Sequence, residues 1–214
     1  ADKAARSGVK QFIYASSGSV YGISDAPQVT EDLPLFPLSE YNKTKMVAER
    51  VVLSYKEKMI VQIIRPATVC GLSPRMRLDV AVNAIAFLGA SGVITIHGGR
   101  QVRPNIHIED MTNLYMFMLD RPELTGIFNA GFENLPIFQI ADMAAFRSHS
   151  EIVTLPTSDK RSYRLSSAKL LATGFKPKHT VVQAIDEILE KAVSGELKDE
   201  TRWYNLKAMS LVSA

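Results

Sequence analysis

Residues 11–22 read QFIYASSGSVYG, and residues 41–45 read YNKTK. An apolar run that breaks into serines around a glycine is the pattern of a short buried strand ending in a tight turn. Ser and Gly favour such turns through local hydrogen bonding and a permissive backbone. Residues 10–16 are therefore predicted as a strand. Beyond it Pro27, Pro34 and Pro37 and the acidic pair Glu31 and Asp32 mark a surface loop, leading into a helix capped near Ser39. That helix is expected to run to about Lys58, with Ala48, Val51, Val52 and Tyr55 on one face. Residues 59–64, rich in β-branched side chains and stopped at Pro66, form a second buried strand. Strand, loop and helix, strand is a βαβ unit, which implies a parallel sheet.

Outward from this unit the chain keeps alternating. Helices are predicted over 1–8 (closed by Gly8), 79–89, 108–119, 135–146, 167–173 and 181–193, with strands over 93–97, 126–130 and 151–155. Met111, Met118 and Cys70 are expected in the core. The polar tail from Gly195 onward is expected to be loosely held, with Trp203 and Tyr204 as its candidate anchors.

Bulk composition excludes several classes. The 214 residues carry 25 Lys+Arg against 22 Asp+Glu, and this excess of +3 is scattered, so no nucleic-acid footprint is expected. A single cysteine rules out an intramolecular disulfide framework and fits a reducing, cytoplasmic compartment. No uninterrupted apolar run approaches the length of a membrane span, so no membrane partner is expected. The opening ADKAARSGVK has neither an apolar signal segment nor an initiator Met, which suggests a start partway through a longer chain.

The YNKTK stretch gives the serine-rich strand end a purpose. Tyr41 and Lys45 are four residues apart on the predicted helix and so share a face. An ammonium beside a phenol favours phenolate and brings the phenol toward use as an acid–base group. A hydroxyl at the C-terminal end of the neighbouring strand, where ligands of open α/β sheets bind, completes the set, and Ser17 is there. Alone, a Tyr-x-x-x-Lys spacing reads as an ordinary exposed helix face; the preceding serine turn and proline-rich loop make it specific.

These stretches, with TEDLPLFPLSEYNKTK, IIRPATVCG, SPRMRLD, GGRQVRPNIHIEDM and DKRSYRLSSAKLLATGFKPKHTV in order, resemble the extended short-chain dehydrogenase/reductases, specifically the NAD-dependent nucleotide-sugar epimerase/dehydratase family. The resemblance implies an α/β fold: the C-terminal part of a Rossmann-type parallel sheet with a small α/β substrate-binding lobe. It places the dinucleotide-binding part in residues 1–70, mainly the substrate lobe with interleaved Rossmann elements in 71–195, and a tail in 196–214. It makes Ser17 the catalytic hydroxyl, Tyr41 the general acid/base and Lys45 its helper on the nicotinamide ribose, with Ala67 a further NAD contact. The implied reaction oxidises a sugar carbon to a ketone, with proton transfer at Tyr41 and hydride transfer to the cofactor, and then returns the hydride.

For substrate contacts the resemblance points to Ser17, Thr68, Asn83, His97, Arg103 and Arg161, with the arginines suited to a diphosphate. Thr68 stands where many relatives have Asn. Arg75 and Arg77 read equally as surface charges or substrate contacts, and His97 reads more readily as structural. The Asp-Glu pair that family dehydratases carry after the catalytic hydroxyl is replaced by Gly18 and Ser19, so C4 epimerisation is expected first and a 4-dehydrogenase or reductase second. The GxxGxxG fingerprint for the pyrophosphate is absent. That implies about 100 residues of cofactor half elsewhere, three to four βα units, or else a non-catalytic binding module. A homodimer is expected through residues 1–8 and 41–58. No metal is expected.

Overall fold

The computed structural model describes residues 1–24, 26–159 and 162–212. The chain opens with α1 (Asp2–Arg6), closed where Gly8 takes a φ of 73°. Strand β1 (Gln11–Ala15) then pairs in parallel with β2 (Ile60–Pro66), Gln11 opposite Ile60 and Ala15 opposite Ile64, and α2 (Glu40–Leu53) connects them. The predicted βαβ unit is thus present. Parallel pairing continues from β2 to β6 (Gly126–Ala130), giving the order β1-β2-β6.

Strand β2 is covered on both faces, which is why it reads as a nearly continuous apolar run. Val61 and Ile63 pack with Val52 of α2, and Ile64 packs with Met111, Leu114 and Met118 of α4 (Ile108–Leu119). Gln62 is the polar exception, fully buried. Its Nε2 donates to the carbonyls of Arg121 (2.9 Å) and Leu124 (2.8 Å), satisfying backbone groups just beyond the α4 C-terminus.

After Ala67 the chain enters β3 (Thr68–Cys70), which pairs in parallel with β5 (Val102–His107); β7 (Glu133–Pro136) lies antiparallel on the other side of β5. Strands β4 (Val93–His97) and β8 (Glu151–Leu155) form a parallel pair. Around them α3 (Ala81–Gly89), α5 (Ile137–Ser148) and α7 (Val181–Val193) close a second core built on Ile85, Ile94, Ile140, Ile185 and Ile188. Thr180 and Gln183 form a reciprocal capping box at the start of α7. The short α6 (Ala168–Leu171) and the terminal α8 (Asn205–Val212) complete the chain.

Several expectations are corrected. Strands β3, β5 and β7 are absent from the sequence reading. They are three to six residues long, Pro104 falls inside β5 and Pro136 ends β7, so alternation is too weak to register. Helix α2 stops at Leu53 rather than near Lys58, the chain continuing in turns through Lys58. Its buried face is Asn42, Glu49 and Val52, while Val51 is half exposed. Strand β1 is half-buried because, among the described residues, it pairs only with β2.

The tail is docked instead of loose as far as Asn205. Leu197 and Trp203 are buried in the second core, the Leu78 N–H donates to the Trp203 carbonyl (3.0 Å), and the Asn205 N–H donates to Asp79 Oδ2 (2.9 Å). Burying an indole outweighs the cost of ordering a polar segment.

Candidate active site

The strand end quoted first forms the floor of the site. The Ser16 N–H donates to the Ile64 carbonyl (2.8 Å), after which Ser17, extended at φ −158° and ψ 140°, caps a 3₁₀ turn over Gly18–Tyr21. Ser17 Oγ accepts from the Ser19 N–H (3.2 Å) and lies 2.7 Å from Ser19 Oγ. Ser19 Oγ in turn donates to Asn42 Oδ1 (2.7 Å), tying the turn to the first turn of α2, which Ser39 caps by accepting from the Asn42 N–H. The turn closes at Gly22, φ 71°, where a Cβ would lie 2.0 Å from the Phe36 carbonyl oxygen. Only glycine lets the proline-rich loop fold back that closely.

Tyr41 and Lys45 stand one turn apart on α2. Lys45 Nζ donates to the Ala15 carbonyl at the end of β1 (2.7 Å) and lies 5.6 Å from the Tyr41 ring centroid and 5.2 Å from that of Tyr14. The ammonium is fixed between the strand end and the phenol, against two aromatic faces. Tyr41 is 55% exposed, open to a ligand on the opposite side.

One further turn along α2, Glu49 anchors this arrangement from below, a residue the sequence reading missed. Arg65 Nε and Nη2 donate to its two carboxylate oxygens at 2.9 and 2.7 Å, and Ser16 Oγ donates to the same carboxylate. Arg65 Nη1 also donates to Tyr21 Oη (2.6 Å), which donates to Asn129 Oδ1 on β6 (2.8 Å). Burial works to lower the Arg65 pKa, but its bonds to Glu49 and the nearby phenol of Tyr21 hold it above the ordinary value. Burial pushes the Tyr21 phenol up despite Arg65. The spacing Tyr41, Lys45, Glu49 at i, i+4, i+8 is the signal that could have found it.

Two cavities of about 460 Å³ each adjoin this point. Ser17, Tyr41, Ala67, Thr68 and Asn83 line the first; Thr68, His97 and Arg103 line the second. Thr68 and Val80 line both, so a serine–tyrosine cavity and an arginine cavity lie side by side. Lys45 lines neither cavity and stands behind Tyr41. Asn83 is buried with its amide committed to the protein, Oδ1 accepting from the Gly71 N–H (3.0 Å) and Nδ2 donating to the Arg77 carbonyl (2.9 Å). Arg103 pairs with Asp159 at 2.7 Å, and His97 is exposed with Nδ1 3.5 Å from the Pro156 carbonyl. Arg161 lies outside the described residues.

The first cavity also takes in Ser19, Arg75, Arg77 and Tyr163. Cys70 reaches it only as a core residue: burial pushes its thiol up to about 12, which excludes an activated nucleophile. Among the described residues no group of three or more His, Cys, Asp or Glu could hold a metal ion. An exposed phenol beside an anchored ammonium suits the ribose and nicotinamide end of a dinucleotide; the sequence supplies no glycine cradle for its pyrophosphate.

Residues 1–131 match the NAD dependent epimerase/dehydratase family. UDP-arabinose 4-epimerase 1 of Arabidopsis thaliana is 30% identical over 58% of this chain and 35% of its own length. The dTDP-D-glucose 4,6-dehydratase of Mus musculus is 30% identical over 92% of this chain and 59% of its own length. The chain therefore spans between about a third and three-fifths of these curated relatives. The Thermus thermophilus UDP-glucose 4-epimerase, solved in complex with NAD, shares the fold at a TM-score of 0.79 and 22% identity, over 92% of this chain and 68% of that one.

Proposed function

From its membership of the NAD-dependent epimerase/dehydratase family, to which this chain belongs, we propose that it is the substrate-binding and acid–base part of an enzyme that epimerises a nucleotide-diphospho-sugar at C4. The observation that carries this reading is a pair of adjacent cavities: Ser17 and Tyr41 line the first, Arg103 lines the second, and Thr68 and Val80 line both. Similarity to a UDP-arabinose 4-epimerase and the fold of a UDP-glucose 4-epimerase support C4 as the reacting carbon. The dehydratase relative covers more of the chain, but Gly18 and Ser19 offer no carboxylate where elimination of water needs one.

On this reading the residues take the following roles. Tyr41 takes the proton of the C4 hydroxyl as general base and gives it back as general acid. Lys45, held by the Ala15 carbonyl, offsets negative charge on the phenol and reaches the cofactor ribose. Ser17, aligned by the Ser19 N–H, hydrogen-bonds the C4 oxygen while it is a ketone. Ala67, which lines the first cavity, is assigned to the cofactor, and Arg103 to the diphosphate, exchanging Asp159 for it. The family resemblance adds Arg161, outside the described residues, as a second candidate for the diphosphate. NAD, when bound, supplies the hydride acceptor and donor for the redox half of the reaction.

We place the enzyme in the cytoplasm as a homodimer. A groove lined by Phe12, Tyr14, Val47, Ala48 and Val51 leaves an apolar face on α2 beside α1, which a second copy covers with the same two helices.

The test is product identity. Proton NMR of UDP-hexoses and UDP-pentoses incubated with the protein and NAD should show the C4 epimer growing in. Loss of the C6 hydroxyl instead, or net accumulation of a 4-ketone, would replace epimerisation with dehydration or oxidation.

A further inference from the structure

Arg75 and Arg77 line the same cavity as Ser17 and Tyr41, and no Asp or Glu is among the described residues that line it. Arg77 commits Nε to Asp79 Oδ1 (2.6 Å), and Asp79 belongs to the second cavity's wall. Its terminal nitrogens have no protein partner among the described residues. Among the described residues the Arg75 side chain makes only a long contact, from Nη2 to Asn205 Oδ1 (3.4 Å). Two guanidinium groups therefore line a cavity with no acidic side chain among its described lining residues, Arg77 meeting Asp79 through Nε alone, and a planar fork of donors is matched best by a carboxylate or a phosphate.

The position of these arginines along the cleft decides between the two. In a hexopyranose joined to a diphosphate at C1, C4 lies across the ring from C1, and C5 with its C6 substituent is the immediate neighbour of C4. If C4 faces Ser17 and Tyr41, groups sharing their cavity meet the C3, C4 and C6 substituents. The diphosphate points away, toward the second cavity and Arg103. A neutral CH₂OH at C6 would leave the remaining guanidinium donors of Arg77, and those of the exposed Arg75, to water, whereas a carboxylate there matches them in charge and in planar geometry.

We infer that the sugar is a uronic acid, its C6 carboxylate held by Arg75 and Arg77. This inference rests on the reading of the cleft as a nucleotide-sugar site. The loop that carries both arginines is fastened in place, since Asn83 holds Gly71 and Arg77 by their backbones and Asp79 orients the Arg77 guanidinium. Positioned donors of this kind lose little entropy when the ligand arrives.

Calorimetric titration of the protein with glucuronate and glucose, each as UDP and dTDP conjugates, separates the possibilities. The wild type should bind the glucuronate conjugate roughly 10- to 100-fold more tightly than the glucose conjugate, as one or two charge-assisted hydrogen bonds would give. Arg77→Gln and Arg75→Gln should each erode that preference and leave glucose binding unchanged, which also shows that the variants fold. Arg77→Lys should restore part of it. Equal binding of the two sugars overturns the inference alone, as does an equal loss for both in Arg77→Gln, which would assign the arginines to the diphosphate. Binding of none of the conjugates overturns the nucleotide-sugar reading itself.

Discussion

Glu49 and Arg65 are almost fully buried, with side chains 3% and 4% exposed, and they join the strand end that carries Ser17 to the helix that carries Tyr41 and Lys45. A buried ion pair adds little net stability over apolar packing, but removing one partner strands the other charge without water. Glu49→Ala is expected to destabilise the protein by about 3–5 kcal/mol, read from urea unfolding. A loss below about 1 kcal/mol, the range of an exposed pair, would mean that the pair does not anchor the site. Individual residues were unequally legible. Ser17, Tyr41 and Lys45 could be read because each is odd in its setting, with serines ending an apolar strand and a phenol one turn from an ammonium. Glu49 could not, because a carboxylate on a helix reads by default as part of a solvated face. Its burial depends on Arg65 arriving from a different strand.

Among the elements, the docked tail makes a sharp test. Asp79 receives the Arg77 guanidinium and the Asn205 N–H that begins α8. Burial works to raise its pKa, but the Arg77 bond, the Asn205 N–H and the Arg77 charge together hold it below the ordinary 3.8. A group depressed in the folded state stabilises above its unfolded pKa, and the stabilisation is lost as pH falls through the folded value. The sole tryptophan, Trp203, reports docking. Its emission should stay blue-shifted from neutral pH down through the usual carboxylate range, then shift red below it. Asp79→Asn should abolish that acid step, and a step unchanged in position would contradict the assignment. Helices and long strands were readable because their periodicity survives locally. Strands β3, β5 and β7 were not, since segments this short, one with an internal proline, are held by pairing with one another, which local sequence does not contain. The tail was misread for a related reason: its polar composition says nothing of the core, shared with α3 and α7, in which the indole sits.

For the molecule as a whole, ordered motifs carried most of what could be read, namely the α/β class, the parallel βαβ unit and the end of the sheet where chemistry belongs. They did not reveal that the serine–tyrosine cavity and the arginine cavity meet at Thr68, because that junction is made by β3, an element without a sequence signature. Assembly is testable at the same level. With Val47 and Val51 each about half exposed on the free face of α2, light scattering should give twice the chain mass, and Val51→Glu should give a monomer. A wild-type monomer at micromolar concentration would remove the dimer from the proposal. The most direct measurement is steady-state turnover of Tyr41→Phe on a nucleotide sugar that the wild type converts. If Tyr41 is the acid–base group, kcat falls by about 10²- to 10⁴-fold while nucleotide-sugar affinity holds, since only one hydroxyl leaves a cavity whose other walls remain. Wild-type turnover in Tyr41→Phe would contradict the assignment, and with it the role given to the serine turn and Lys45.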